Sequence, residues 1–219
     1  MKSIYITLFA FAFFTLSCNS NTTASKTVQQ VKLSHEQLET YETAYFASGC
    51  FWCVEAIFES VKGVKEVVSG YAGGKAETAN YQMVSAGKTN HAEAVKVYYD
   101  SKVVSYETLV KVFFGSHDPT TLNRQGPDYG RQYRSAIFYK NSHEKKVIDQ
   151  YISQLQKDQV FNGRITTEVT PYTAFYDAEE YHQDYEANNP NNPYIRNVSI
   201  PRLKRFQKKF PELLKKEAH

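Results

Sequence analysis

Apolar positions recur along this chain with two periods, and the switches between them divide it into elements. TAYFASG (Thr43–Gly49) reads as a short strand entering a turn at Gly49. From Cys50 the period lengthens: Val54, Ile57, Phe58 and Val61 fall at i, i+3, i+4 and i+7, one face of a helix, and Gly63 stands where its C-terminus is expected. GVKEVVSGY predicts the next strand, closed by the turn residues AGGK, and the alternating HAEAVKVYYD is expected to pair in the same sheet. Ser105 caps SYETLVKVFFGSH, where Tyr106, Leu109, Val110, Phe113 and Phe114 mark a second helical face. RSAIFYK predicts a strand, NSHEKKVIDQYISQL a helix, RITTEVTPY a further strand, and DAEEYHQDYEANNP a short helix stopped at Pro190. The order β-α-β-β-α-β before the later additions predicts an α+β fold: a two-layer α/β plait with a ferredoxin-like split βαβ core and long functional loops.

The two ends follow other patterns. Residues 1–17, MKSIYITLFAFAFFTLS, carry Lys2 and then an apolar run from Ile4 to Leu16. That is signal-peptide length, short of the roughly 18 apolar residues that a membrane-crossing helix needs. The run ends in TLSC, which resembles a bacterial lipoprotein box with Cys18 as the acylated residue. Ordinary signal cleavage nearby is the alternative. Residues 18–42 have the polar composition of a tether, which leaves 43–193 as the folded domain. Residues 194–219 carry eight Lys or Arg against two Glu and read as a solvated, partly helical basic tail.

Composition changes the picture in two ways. The 17 Tyr and 14 Phe supply both core area and hydroxyl donors. The net charge of +3, with no continuous basic block, argues against nucleic acid as a partner.

The chemistry gathers at GCFWCVEAIFE (Gly49–Glu59). With Cys18 assigned to the membrane, Cys50 and Cys53 are the only thiols of the folded part. They are too few for a disulfide scaffold or a closed zinc site, so no metal and no bound cofactor are expected. Cys50 falls at a helix start, where free N–H groups and the positive dipole end favour a thiolate. Cys53 lies one turn on, within disulfide range. Burial as two small hydrophobes is the bland alternative. Glu93 opens a strand among apolar neighbours, surroundings that raise a carboxyl pKa and suit a proton donor, although a solvated strand end is the commoner case. The loop HDPTTLNRQGPDYGRQYRS (His117–Ser135) is long and aperiodic, as functional loops are.

GCFW, GVKEVVSGYAGG, NYQMVSAGKTNHAEAVKVYYD, HDPTTLNRQGPDYGRQYRSAIFY and EEYHQDYEANNP occur in the order, and with gaps similar to those, of the class A peptide methionine sulfoxide reductases. The resemblance covers about Ala44 to Asn189. It implies an α/β plait that reduces methionine S-sulfoxide, free or in proteins, with an external thiol reductant such as a thioredoxin-like protein. By matching position, Cys50 corresponds to the nucleophile, and Phe51 and Trp52 to walls of the substrate's methyl pocket. Glu93 corresponds to the acid that protonates the sulfoxide oxygen, Tyr81 and Tyr133 to hydroxyl donors, and Asp128 to part of the same polar wall. Many members have Gly where this chain has Cys53 and keep resolving cysteines near the C-terminus. No cysteine follows Cys53 here, so Cys53 is expected to be the resolving residue. His91, His117 and His182 are read as structural. An exported, envelope-located, membrane-anchored monomer that repairs oxidised proteins is expected. A general thiol–disulfide oxidoreductase using CFWC is the chief alternative. A cysteine protease and a non-catalytic surface lipoprotein leave the Tyr-bearing loops unexplained.

Overall fold

The computed structural model describes residues 33–216; the expected signal peptide, Cys18 and most of the tether lie outside the described residues. In chain order the elements are α1 His35–Leu38, β1 Glu42–Ser48, α2 Phe51–Glu59, β2 Val64–Ala72, α3 Tyr81–Ser85, β3 Ala92–Tyr99 and α4 Tyr106–Gly115. They continue with β4 Arg124–Gln125, β5 Asp128–Tyr129, β6 Ser135–Tyr139, α5 Ser142–Lys157, β7 Glu168–Pro171, β8 Phe175–Asp177, α6 Tyr185–Asn188 and α7 Ile200–Lys209. No described helix is long and apolar enough to cross a membrane.

Six strands form one mixed sheet in the order β7-β6-β1-β3-β2-β8, with β7 parallel to β6 and the other pairs antiparallel. The fold is thus a mixed α/β one, broader than the four-stranded core expected. Alternation along β1 sends Phe46 to one side, among α2 and α4 side chains such as Phe58 and Phe113, and Tyr45 and Ala47 to the other. The small residues Ala72, Ala92, Ala94 and Ala136 continue that second side, where Tyr172 stacks on Tyr45 with ring centroids 4.1 Å apart. Along β3 the same alternation puts Glu93 on the side of Val95 and Val97, facing the main core.

Three expectations are corrected. Within the segment read as a tether, Ser34 and Gln37 form a reciprocal capping box at 3.3 and 2.9 Å and Leu38 is buried, so the ordered fold begins earlier. The helix expected over 177–190 is broken into β8, a 3-10 turn at Glu180–His182, and α6. Edge pairing of β8 with β2 takes its first residue. Gln183 then bonds the N–H and C=O of Ser69 at 2.9 and 3.0 Å, and Asp184 turns left-handed at φ 54°.

The basic C-terminal segment is not a solvated tail. Ile195, Ser199, Arg202 and Phe206 are buried, and Leu214 pairs with Val61. Apart from Arg202, the charges lie on the outer face of a helix whose inner face packs on α2. Asn192 opens this stretch by accepting the N–H of Tyr194 at 2.9 Å. Pro201 lacks an N–H and its ring crowds the carbonyl four residues back, and a π-helical turn at Ile195–Ser199 precedes α7.

Candidate active site

Gly49 turns the chain from β1 into α2 at φ 94°; a Cβ there would meet Gln125 Cβ at 2.7 Å, so only glycine fits. The turn delivers Cys50 to the N-cap of α2, where its side chain makes no capping bond. The N–H of Phe51 instead goes to Glu93 Oε2 at 3.1 Å. The helix start is therefore occupied by a carboxyl group brought from β3.

Cys50, Phe51, Trp52, Tyr81, Glu93, Asp128 and Tyr133 line one hollow of about 330 Å³, joined by Asn192 and Tyr194. A second hollow of about 380 Å³, between α4 and α5, holds neither thiol nor buried acid of this group. Cys53 does not line the substrate-sized hollow; it is buried behind it, 3.8 Å from Tyr194 Oη. Both cysteines are free thiols.

Each lining group has a holder. Asn80 caps α3 and Glu179 accepts the N–H of Tyr81 at 3.0 Å, which fixes the first residue of that helix in the wall. The loop 117–135 is ordered by side-chain turns: Asp118 accepts from Thr120 and the Asp118 carbonyl from Gln125, and the β4–β5 ribbon presents Asp128. Trp52 stacks on Tyr185 at 3.8 Å and donates its Nε1–H to His182 Nδ1 at 3.1 Å, leaving that imidazole neutral with its proton on Nε2. His91 and His117 likewise hydrogen-bond to backbone, at 3.0 and 2.8 Å.

Burial pushes the Glu93 carboxyl up to about 8, against the Phe51 N–H, which lowers it; Asp128 and Cys53 add to the rise. The acid is therefore mostly protonated at neutral pH. Burial also raises Tyr81 and Tyr133, which stay phenols. For Cys50 the structure reverses the sequence expectation. Burial, the Cys53 thiol beside it and the Glu93 carboxylate lift its pKa well above the usual thiol value, so the helix dipole does not prevail. Cys53 is drawn down by a hydrogen bond from Cys50 and by the charge of Arg202. The sequence reading missed Tyr194, Asn192 and Arg202. Asn192–Pro193 as a cap and first helical residue, then Ile195, Arg202 and Phe206 at i, i+7 and i+11, were the available signal.

A protonated acid and two phenols facing a thiol, with a second thiol one turn behind, define an oxidoreductase working through sulfur chemistry. The family model described as Peptide methionine sulfoxide reductase matches residues 42–214, which includes the packed C-terminal segment. Peptide methionine sulfoxide reductase MsrA 2 of Synechocystis sp. is 50% identical over 178 residues, covering 81% of this chain and 83% of its own. Among solved structures, reduced Mxr1 from Saccharomyces cerevisiae is similar at TM-score 0.64 and 35% identity, over 69% of this chain and 87% of that one. Methionine sulfoxide reductase A of Corynebacterium diphtheriae is similar at TM-score 0.61 and 37% identity, over 68% and 75%. The chain belongs to the peptide methionine sulfoxide reductase family and is a methionine sulfoxide reductase.

Proposed function

We propose that this enzyme reduces the S epimer of methionine sulfoxide, free or in proteins, with Cys50 as nucleophile and Cys53 as resolving thiol. The observation that carries the reading is Cys50 and a protonated Glu93 in one aromatic-walled hollow with Tyr81 and Tyr133. A sulfoxide sulfur is a poor electrophile until its oxygen is protonated or strongly hydrogen-bonded. Glu93 supplies the proton, the two phenols donate to the same oxygen, and Phe51 and Trp52 hold the methyl group, with Asp128 completing the polar wall. The Cys50 sulfur bonds to the substrate sulfur as the S–O bond breaks, and the oxygen leaves as water with the Glu93 proton and the Cys50 thiol proton. A water then attacks the Cys50 sulfur and returns a proton to Glu93, the S–S bond breaks with its electron pair going to the methionine sulfur, and methionine leaves with Cys50 as a sulfenic acid. Cys53 then displaces the hydroxyl, giving a Cys50–Cys53 disulfide and water. A dithiol donor of the thioredoxin type returns both thiols by exchange. The test is a single turnover with acetylated methionine S- and R-sulfoxide. Consumption of the S epimer with one methionine formed per enzyme is expected; equal use of both epimers, or none, overturns the reading.

The apolar start and TLSC support an exported, lipid-anchored enzyme that repairs oxidised envelope proteins, with Cys18 as the acylated residue. Intact-mass measurement of the mature protein decides it. A cleaved N-terminus without acyl chains removes the anchor, and several chains would give the stable attachment that one alone does not.

A further inference from the structure

Cys53 faces the C-terminal segment. Its sulfur lies 3.8 Å from Tyr194 Oη, and Tyr194 Oη donates to Asp128 Oδ2 at 2.6 Å. A phenol has one hydrogen, and here it is committed to the carboxylate. Its oxygen therefore meets the Cys53 thiol as an acceptor. The result is a continuous path, Cys53 S–H to Tyr194 O–H to Asp128, from the buried thiol to a carboxylate lining the same hollow as Cys50.

Behind this path lies Arg202. Its guanidinium is buried, bonded by Nε to the Ser116 carbonyl at 2.9 Å and by Nη2 to Ser48 Oγ at 3.1 Å. Both partners are neutral, and no carboxylate among the described residues stands at ion-pair distance from it. A buried cation with no carboxylate at contact distance stabilises negative charge nearby, on Asp128 as on Cys53.

We propose that Tyr194 and Asp128 form the proton relay of the resolving step, with Arg202 as the counter-charge of the Cys53 thiolate. This rests on the reading that Cys53 resolves Cys50. The Cys53 proton passes to Tyr194 as the phenol's own proton passes to Asp128. The Cys53 sulfur bonds to the Cys50 sulfur, the S–O bond breaks, and the departing hydroxide takes the proton from Asp128. The sum is sulfenic acid plus thiol giving disulfide plus water, with no outside oxidant. The groups facing Cys53 are Cys50 on its own helix, Glu93 from β3, and Tyr194, Arg202 and the buried Ser199 hydroxyl from the C-terminal segment. Burial raises Asp128 on balance against the Tyr194 hydrogen bond and Arg202, which lower it, while the Cys50 hydrogen bond and Arg202 lower Cys53 on balance against its burial, so donor and acceptor are brought closer in acidity. His117, beyond Arg202, is held neutral by burial at about 3 and does not compete.

The test quenches the full-length enzyme after one equivalent of a methionine sulfoxide peptide, without reductant, over a range of pH. Methionine, dimedone-trapped Cys50 sulfenic acid and the Cys50–Cys53 disulfide are counted separately. In Tyr194→Phe, disulfide closure per methionine formed should slow by about ten- to a hundredfold, with its pH profile displaced to alkaline values. Asp128→Asn keeps an acceptor for the phenol but takes no proton, and should show the same delay. Counting against each variant's own methionine removes loss through misfolding. Closure at the wild-type rate and with the wild-type pH profile in either variant overturns the relay. Absence of any Cys50–Cys53 disulfide in the wild type instead overturns the resolving role, before any variant is made.

Discussion

The Glu93 carboxyl group accepts the backbone N–H of Phe51 through Oε2 at 3.1 Å, so the acid of β3 caps the helix that carries Cys50. One contact fixes the distance between nucleophile and acid. It also explains why the thiol gains little from the helix dipole: the free end is already occupied by a carboxyl group, which raises the thiol pKa when ionised.

Glu93→Gln preserves the acceptor for the Phe51 N–H and removes the proton. The single-turnover reduction rate is expected to fall about a hundredfold or more. The pH profile carries the sharper signature. With its carboxyl raised to about 8, the wild type should keep its activity through neutrality and lose it as pH rises past that value, since only the protonated form donates. The variant should lack that limb. An unchanged rate near neutral pH would remove Glu93 from the role.

Replacing the two thiols should divide the reaction. Cys50→Ser is expected to form no methionine even in a single turnover. Cys53→Ser should release close to one methionine per enzyme and then stall with Cys50 as a sulfenic acid. Small thiols should rescue its turnover far better than a thioredoxin-like donor, which needs a disulfide substrate. Peptide mapping checks this; wild-type enzyme holding sulfenic Cys50 beside a free Cys53 contradicts the assignment.

Trp52 is held by its stack on Tyr185 and its bond to His182. Trp52→Ala removes one wall of the hollow and should lower kcat/KM by roughly tenfold or more, on the scale of small apolar pocket changes of about 1–3 kcal/mol. Trp52→Phe keeps the stacked face and should recover most of the loss. Equal defects in both would assign the effect to the indole N–H instead.

Stability should fall with rising pH because of acids outside the reaction. Burial and then Glu59 push Glu55 up to about 9, and burial and then Asp184 push Glu59 up to about 8. An unfolded Glu titrates at about 4.3, so between that value and the folded ones the native state holds more protons. Their folded-state burden is absent below the unfolded pKa and grows as pH rises toward the folded values. The urea midpoint should therefore decline from mildly acid to alkaline pH, and Glu59→Gln should flatten the decline. Parallel wild-type and variant curves would exclude Glu59 as a source.

Local pattern alone determined the strand–turn–helix that presents Cys50 and Cys53 one turn apart. The alternation of HAEAV likewise sets Glu93 on the face of Val95 and Val97, because side-chain direction along a strand needs no knowledge of distant residues. Tyr81, Tyr133 and Asp128 stood out only through the family resemblance. Their convergence depends on turns in the 117–135 loop and on Glu179, ninety-eight residues from Tyr81, for which composition holds no signal. Tertiary structure alone decided the rest. The segment after Asn192 looked solvated because basic residues recur throughout it, yet burying Ile195 and Phe206 draws Tyr194 and Arg202 inward with them. The ionisation of Cys50 and Cys53 was decided in the same way: a pKa follows burial and neighbouring charge, and both are set by chain segments that meet only in the folded protein.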